Sequence, residues 1–380
     1  MRNSKLIPLA AAIALSFAGS AFAQEQVVKI AHVGPITGPI GHIGKDNENG
    51  AKMAIEELNA QGITLDGKKT KFVLVSEDDA SDPKQATAVA QKLVDAKVAG
   101  VIGHVNSGAS IPASKIYYDA GIPQISPSTT SAKYTQQGYN TTFRVVANDS
   151  QLGGALGRYA AKTLHAKTAA VIDDRTAYGQ GLAEEFTKAA KAAGMTIVAT
   201  QYTNDKATDF NAILTSFKTK KPDVVFFGGL DAGGGPMLRQ MKQLGIKAKY
   251  MGGDAICTSD LPKLAGDGMS NDQVICAEAG GVEESARKGL EDFKAAYKKK
   301  YGQDVVIYAP YTYDALMTMA DAMQKAKSAD PKKYLPELAK IHHKGVTGMI
   351  SFDPKGDIKD GTITLYTYRE GQRTQLAVTK

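Results

Sequence analysis

Two stretches of the sequence place hydroxyl and amide donors directly after predicted strands. Residues 101–112 pass from a buried strand through a turn of glycine, asparagine and serine into a helix expected to begin near Ser110. Residues 125–131 follow the next strand and carry several more hydroxyl groups. Because a helix N-terminus offers free N–H groups and the positive end of the helix dipole, such turns can bind a carboxylate. Two ordinary helix caps are the alternative explanation.

We expect the two turns to lie side by side at the carboxyl edge of a parallel sheet, where open α/β folds bind ligands. The donors expected to reach a carboxylate are Ser107, Ser128 and Thr130, partly through their backbone N–H groups. An ammonium group would need an anion, and Asp254 follows a strand of a second predicted sheet. If two lobes face each other, Asp254 points across the cleft between them; otherwise it caps the segment after it. Donors for a carboxylate and an acid for an ammonium group together would match a zwitterion.

Two tyrosines are candidates for apolar contacts with such a ligand. Tyr178 follows a predicted strand at the same edge as Asp254, where its ring would offer an apolar surface with a polar tip. An ordinary half-buried surface tyrosine is the alternative. Tyr308 is either a second aromatic residue of the cleft or a core residue ahead of the next helix. The sequence alone leaves both choices open.

The sequence contains none of the common catalytic or cofactor signatures. It lacks a G-x-G-x-x-G after a strand, an H-E-x-x-H and a G-x-S-x-G, and Asp46 stands where a phosphate loop at 38–45 would need serine or threonine. His342 and His343 are expected to form a solvated helix end rather than a metal site. His104 follows a buried strand, where it is either a core residue or a support for the ligand-binding groups. We therefore expect no catalytic residue, no metal and no cofactor.

These residues would be positioned by strands and helices that alternate along the chain. The first run extends from residue 27 to residue 125 and predicts a parallel sheet with helices on both faces. An extended segment at 142–146 and a helix capped by Asp149 separate it from a second run at 168–252. This restart predicts an α/β protein of two similar lobes with a hinge. Other helices are expected to begin at Lys45, Gly181 and Pro236, and the last strands to lie at 348–352 and 362–368.

The composition indicates an exported globular protein. The chain has 380 residues, which is long enough for two domains that each have a hydrophobic core. Of these residues, 43% are hydrophobic and 22% are charged, which is ordinary for a globular protein. Residues 1–23 are a predicted signal peptide, since Arg2 and Lys5 precede an apolar run and Ala21-Phe22-Ala23 is a small-x-small cleavage site. The apolar run is too short to span a membrane. The lysines are scattered and form no basic tract for nucleic acid.

Two cysteines, Cys257 and Cys276, would enter an oxidising compartment. An even count there favours a disulfide, and closing this loop would contribute about 3 kcal/mol. No histidine lies close enough in the sequence to suggest a zinc site. Two free thiols are the alternative, so the pairing stays a prediction at this point.

Several segments together resemble one family. They are VIGHVNS at 101–107, DDASDPKQA at 78–86, ISPSTT at 125–130, AYGQGLA at 177–183, FGG at 227–229 and LRQ at 238–240. The family is that of the periplasmic leucine/isoleucine/valine-binding proteins, the type I solute-binding proteins of branched-chain amino acid ABC importers. The resemblance implies two Rossmann-like lobes joined by a three-crossover hinge. It also implies lobe one as 24–148 plus 278–360, and lobe two as 149–277 plus 361–380.

The resemblance implies roles for individual residues as well. Ser107, Ser128 and Thr130 fall where the family binds the α-carboxylate and part of the ammonium group. Asp254 falls where the family has an acidic ammonium partner, usually glutamate, and Tyr178 matches a tyrosine of the cleft. Residues that match positions of the side-chain pocket are Val105, Asn106 and Tyr308.

Three departures from the family concern its disulfide and its pocket. Leucine-binding relatives have a disulfide between the positions of Ser81 and Asn106, and neither residue is a cysteine here. Two cleft tyrosines of the relatives are replaced by Leu230 and Ile43. Asp254 is one methylene shorter than glutamate. The zwitterion site is therefore expected to be kept, whereas the altered pocket could suit an aliphatic, aromatic or small polar side chain.

The resemblance implies a monomeric, periplasmic binding protein that captures a branched-chain or other apolar α-amino acid and delivers it to an inner-membrane ABC permease. Two alternatives remain. The same fold could bind an amide, urea or another small polar solute for import or sensing, although Asp254 argues against losing the ammonium partner. A hydrolase or dehydrogenase on a doubly wound sheet would need a nucleophile elbow, a dinucleotide fingerprint or a metal cluster, and the sequence has none of these motifs.

Overall fold

The computed structural model describes residues 25–281 and 284–379, and the predicted signal peptide lies outside the described residues. The chain forms two α/β lobes joined by three crossings. Lobe one is built on the sheet that contains residues 26–144, and lobe two on the sheet that contains residues 168–278 and 363–379. Within the described ranges, no helix has both the length and the apolar character needed to cross a bilayer.

Lobe one begins with alternating strands and helices. They are β1 (Gln26–Gly34), α1 (Gly41–Gln61), β2 (Thr64–Leu65), β3 (Lys68–Asp78), α2 (Pro83–Asp95), β4 (Gly100–Gly103), α3 (Ser107–Asp119), β5 (Gln124–Ser126) and β6 (Thr142–Arg144). The strand order is β2-β3-β1-β4-β5-β6, and only β2 is antiparallel to its neighbour. The central strand β4 is buried throughout, because helices cover both faces of the sheet.

Lobe two repeats the alternation. Its first elements are α4 (Asp149–Lys162), β7 (Thr168–Asp173), α5 (Ala177–Ala192), β8 (Thr196–Tyr202), α6 (Asn211–Lys220), β9 (Val224–Gly228), α7 (Asp231–Gln243), β10 (Lys249–Gly252), α8 (Leu261–Ala265) and β11 (Val274–Glu278). Cys257 and Cys276 form a disulfide, with Cα atoms 5.3 Å apart, which ties the segment after β10 to β11.

The chain then returns to lobe one and ends in lobe two. The returning elements are α9 (Glu284–Tyr301), α10 (Ala309–Lys325), α11 (Pro331–Leu338), β12 (His343–Lys344) and β13 (Met349–Ile350). The helix α10 packs against α1, β4 and β5, so it completes the core of lobe one. The last strands, β14 (Ile363–Arg369) and β15 (Gln372–Thr379), give lobe two the order β15-β14-β11-β10-β9-β7-β8.

The crossings follow β6, β11 and β13, and hydrogen bonds join them. Ala147 N–H donates to Ala279 O at 3.0 Å, and Arg144 N–H donates to Gly356 O at 3.0 Å. Gly356 has a φ of +90°, and a Cβ there would collide with the backbone of β6, so this position requires glycine. The buried Arg144 guanidinium also donates to Asp357 at 2.5 Å. These contacts hold the third crossing beside the first.

Several helices begin earlier than the sequence predicted. The observed starts, with the predicted ones in parentheses, are Gly41 (Lys45), Ser107 (Ser110), Ala177 (Gly181) and Asp231 (Pro236). Glycine or proline occurs in or just after the first turn of each of these helices, and their low helix propensity concealed the true starts. The missed turns lie at the carboxyl ends of strands, so they bring additional residues to the cleft.

Two other local predictions were wrong, and one strand was missed. Asn148 rather than Asp149 caps α4, through a capping box with Gln151, so Asp149 is the first helical residue. The predicted strand at 348–352 is reduced to the two residues of β13. The edge strand β15 was missed because its mixed polar and apolar residues give a weak alternation.

Candidate functional site

The first donor-rich turn forms where β4 ends and α3 begins. Asn106 is the N-cap of α3, and its side-chain oxygen accepts from the Ala109 N–H at 3.1 Å. Ser107 is the first residue of the helix and is buried at the positive end of the helix dipole. Its Oγ accepts from the Ser131 N–H at 3.2 Å. This hydrogen bond makes the two predicted turns neighbours.

Side-chain hydrogen bonds hold the second turn against the first. Ser128 Oγ donates to Val105 O at 2.7 Å, and Ser126 Oγ donates to His104 O at 2.8 Å. Thr130 Oγ1 differs from these hydroxyls, because it is buried and has no hydrogen-bond partner of ordinary geometry, although it lies near enough to Asp149 to lower the pKa of that carboxyl group. Buried polar atoms are usually satisfied, so the hydroxyl of Thr130 is a candidate contact for a ligand.

Asp254 lies between the lobes. It follows β10 in a short 3-10 helix, Asp254–Ile256, and it is fully buried. Its Oδ1 accepts from Tyr178 OH of lobe two at 2.8 Å, and its Oδ2 accepts from Tyr308 OH of lobe one at 2.7 Å. Burial raises the pKa of Asp254 to about 6, although both tyrosine hydrogen bonds act in the opposite direction. The acid thus faces the cleft rather than capping a helix through its side chain.

Asp149 is a second acid at the cleft that the sequence analysis missed. It is buried in the first turn of α4, and neither carboxyl oxygen has a hydrogen-bond partner of ordinary geometry. Burial raises its pKa to about 8; the Thr130 hydroxyl opposes this shift and the charge of Asp254 adds to it. The sequence contained a hint of this acid, because Asn148 and Asp149 are both cap-forming residues and a helix needs only one N-cap. A cation bound between Asp149 and Asp254 would stabilise the ionised form of both.

An apolar cavity lies next to Asp254, between the lobes. Its empty volume is about 320 Å³, a figure that includes space open to solvent. The predicted site residues that line it are Val105, Asn106, Ser107, Ser128, Tyr178, Leu230 and Tyr308. Ile43, which the sequence analysis named only as a departure from the family, also lines it, as do the unpredicted Ile40 and Ala255. The cavity is therefore apolar on most sides and polar at the donor-rich turns.

The structure also explains two departures from the family. Ser81 and Asn106, at the positions of the relatives' disulfide, contact each other through a hydrogen bond in which the Asn106 amide donates to Ser81 Oγ. Leu230 lies immediately before α7 and contributes an aliphatic wall where the relatives have a tyrosine. The contact between Ser81 and Asn106 therefore links the same two segments as the disulfide of the relatives. Leu230, in contrast, changes the lining of the pocket.

The described histidines lie outside any cluster of possible metal ligands. His104 is buried, with Nδ1 2.7 Å from Asp79 Oδ2 and Nε2 3.1 Å from Tyr117 OH, so it is a satisfied core residue whose carbonyl supports the second turn. His343 lies in β12 and contacts Asp321, so the predicted solvated helix end was wrong. The helix before it, α11, already ends at Leu338. Among the described residues, no cluster of histidine, cysteine and acidic side chains could hold a metal ion.

Comparison with known proteins agrees with this architecture. The sequence model of the family described as periplasmic binding protein matches residues 27–373. A leucine-, isoleucine-, valine-, threonine- and alanine-binding protein of Pseudomonas aeruginosa is 35% identical over 375 residues, which cover 98% of this chain and 99% of that protein. The crystal structure of a leucine-binding protein from Thermotoga maritima superposes with a TM-score of 0.85 and 26% identity, over 92% of this chain and 98% of that one.

A second solved structure comes from Streptococcus pneumoniae. It is the substrate-binding protein of a branched-chain amino acid transporter, in complex with isoleucine. It superposes with a TM-score of 0.83 and 28% identity, over 93% of this chain and 99% of that one. The likeness therefore extends over both lobes.

Proposed function

We propose that this chain, which belongs to the periplasmic binding protein family, captures a free α-amino acid between its lobes. The amino acid has a branched-chain or other apolar side chain, and the protein delivers it to an inner-membrane ABC permease. The observation that carries the proposal is the buried Asp254, held between Tyr178 and Tyr308, opposite two donor-rich turns. Hydrogen-bond donors and an acid that share one dry cleft match the two ends of a zwitterion.

Each end of the ligand has its own partners in the proposal. Ser107 and Ser128, with the N–H groups of their turns, bind the α-carboxylate. Asp254 and Asp149 bind the ammonium group, and Thr130 supplies its hydroxyl oxygen. Because burial raises the pKa of both acids, a bound ammonium group would stabilise their ionised forms.

The side chain of the ligand would occupy the apolar part of the cavity. Ile43, Val105 and Leu230 give it aliphatic walls, and Tyr308 gives it an aromatic one. The printed names of the relatives, which bind leucine, isoleucine and valine among others, support the same class of ligand. An amide or urea, the alternative ligand, would leave both acids without a positive partner, and nothing in the cavity favours it.

Ligand capture works through the two lobes. A ligand that contacts donors on lobe one and an acid on lobe two binds the closed arrangement better than the open one, so it shifts the population toward closure. A micromolar dissociation constant corresponds to about 8 kcal/mol, which charge-assisted hydrogen bonds and a filled cavity can supply without covalent chemistry.

We extend the proposal to location and assembly. Residues 1–23 direct export and are removed, and the mature protein acts in the periplasm as a monomer that is not an enzyme and needs no cofactor. The lobes comprise 24–148 with 278–360 and 149–277 with 361–380. These lobe boundaries are supported by membership of the family and by the positions of the three crossings.

Isothermal titration calorimetry tests the function directly. Protein that has been unfolded, washed and refolded is titrated with a panel of amino acids that includes leucine, isoleucine, valine, alanine and phenylalanine, and with acetamide and urea. We expect heat with at least one apolar amino acid and none with the matching amino acid amide, which lacks the carboxylate. Binding of acetamide or urea alone, or no heat with any amino acid, would contradict the proposal.

A further inference from the structure

A histidine and an aspartate meet across the mouth of the cleft. His42 lies in the first turn of α1 in lobe one, and Asp231 is the first residue of α7 in lobe two. His42 Nε2 lies 2.8 Å from Asp231 Oδ2, with the histidine side chain 24% exposed and the aspartate fully buried. Each is the sequence neighbour of a residue that lines the cavity, Ile43 or Leu230. The pair therefore spans the lobes at the rim of the ligand site.

Hydrogen bonds within lobe two fix the position of the Asp231 carboxyl group. Thr258 Oγ1 donates to the same Oδ2 at 2.6 Å, and the Leu261 N–H in turn donates to Thr258 Oγ1 at 3.1 Å. The positive end of the α7 dipole favours a carboxylate at this position. The other oxygen, Oδ1, is buried without a partner. A positive charge on His42 would compensate this buried carboxylate better than a neutral ring.

The charged groups that face His42 from each element around it are acidic. They are Asp231 of α7, Asp260 directly before α8, and Asp46 on α1 itself. The nearby Lys45 pairs with Glu48 at 2.9 Å. Burial on its own would lower the pKa of His42, but the hydrogen bond and charge of Asp231, with the other two acids, raise it above its ordinary value. Two of the three acids belong to lobe two, so opening the cleft removes most of this effect.

We propose that His42 and Asp231 form a protonation-dependent clasp that stabilises the closed lobes and so tightens ligand binding at mildly acidic pH. The clasp rests on the proposed function only because its effect on affinity is measured with an amino acid. Closing raises the pKa of His42, so it takes up a proton. The stabilisation is complete below the ordinary histidine pKa of about 6.5 and is lost as the pH rises through the raised value.

His42 acts as a positioning residue, since it lies outside the cavity lining. Its effect must be separated from that of Asp254, whose protonation weakens ammonium binding at low pH. A variant that lacks only His42 keeps Asp254, so the difference between the variant and the wild type at each pH isolates the clasp.

Calorimetry with L-leucine compares wild type, His42→Gln and the matched control His342→Gln, which removes an exposed histidine. At about pH 6.5 we expect His42→Gln to bind three- to tenfold more weakly than wild type. At about pH 8.5 the difference should shrink to less than twofold, and His342→Gln should follow the wild type at both pH values. A difference that stays constant between the two pH values, or no difference at either, would overturn the clasp.

A double-mutant cycle tests whether the partner is Asp231. Asp231→Asn should lose the same pH-dependent affinity as His42→Gln, and the double variant should lose little more, because the two residues contribute through one contact. Fully additive losses would show that the two residues act separately, and would overturn the assignment of the pair.

Small-angle X-ray scattering on ligand-free protein provides a readout that needs no amino acid. The wild type should become more compact between about pH 8.5 and pH 6.5, whereas His42→Gln should change less. If no amino acid of the panel binds, the proposed function fails and the scattering comparison alone decides on the clasp. If L-leucine binds and the affinity difference does not depend on pH, the clasp fails while the proposed function stands.

Discussion

Tyr308 of lobe one donates a hydrogen bond to Asp254 of lobe two at 2.7 Å. Tyr178, from lobe two itself, donates to the other oxygen of the same carboxyl group. Closing the cleft therefore completes the hydrogen bonding of Asp254, and the acid that is proposed to receive the ligand ammonium also joins the lobes. Affinity, closure and the ionisation of this one group should consequently be linked.

Replacing Asp254 with asparagine tests its role as the ammonium partner. We expect the affinity for the ligand to fall at least about tenfold, because a charge-assisted hydrogen bond is lost while the shape of the side chain is kept. The melting temperature of the ligand-free protein should stay nearly unchanged, since the buried carboxyl group is itself poorly solvated. Asp205→Asn, at an exposed position of lobe two, is the control. An equal loss of stability and affinity would instead assign Asp254 a structural role.

Asp149 should destabilise the ligand-free protein at alkaline pH. Its pKa rises from 3.8 to about 8 on folding, so the folded state binds more protons than the unfolded chain between these values. The stability of the folded state therefore falls as the pH rises through this window. We expect Asp149→Asn to be about 1–3 kcal/mol more stable than wild type near pH 8 and to bind ligand more weakly. Urea denaturation at several pH values measures this; lower stability of the variant at pH 8 would refute it.

The affinity for an amino acid should have an acid limb set by Asp254. In the ligand-free protein burial raises the pKa of Asp254 to about 6, whereas a bound ammonium group would lower it. Protonation of Asp254 therefore weakens binding as the pH falls below this value, by up to about tenfold per pH unit. Because Asp149 also has a raised pKa and must lose its proton to bind the ammonium group, calorimetry between about pH 4.5 and pH 7 should show a shallower limb in Asp254→Asn than in wild type. A limb that is equally steep in the variant would show that Asp254 does not contribute to it.

The disulfide should contribute stability rather than ligand contacts. Cys257 and Cys276 close a loop with a sequence separation of 19, and removing such a bridge lowers the free energy of unfolding by about 3 kcal/mol. Urea denaturation of the Cys257→Ser/Cys276→Ser double variant should show this loss. Reductant should lower the stability of wild type similarly and leave the variant unaffected. Leucine affinity should change little, since two tyrosines hold Asp254 independently of the bridge.

The placement of several candidate site residues could be anticipated because parallel strands end at a common edge. Ser107 and Ser128 occupy turns after consecutive strands, and the position of Asp254 after a strand of the second run placed it opposite them. The helix starts were harder to predict, because glycine and proline in the first turns weaken the local signal for a helix. This error hid His42 and Asp231, which were placed in loops and are in fact in the first turns of α1 and α7.

The sequence by itself determined the two-lobed α/β architecture, the donor-rich turns and the acid opposite them, since these depend on periodicity and on residues that are neighbours in the chain. Only the tertiary structure decided which groups lack partners and which meet across the cleft. Asp149 looked like an ordinary cap, yet burial leaves its oxygens unpaired. His42 and Asp231 are 189 residues apart in the sequence and 2.8 Å apart in space. Desolvation and contacts between distant segments depend on how the lobes close, and no local pattern encodes that.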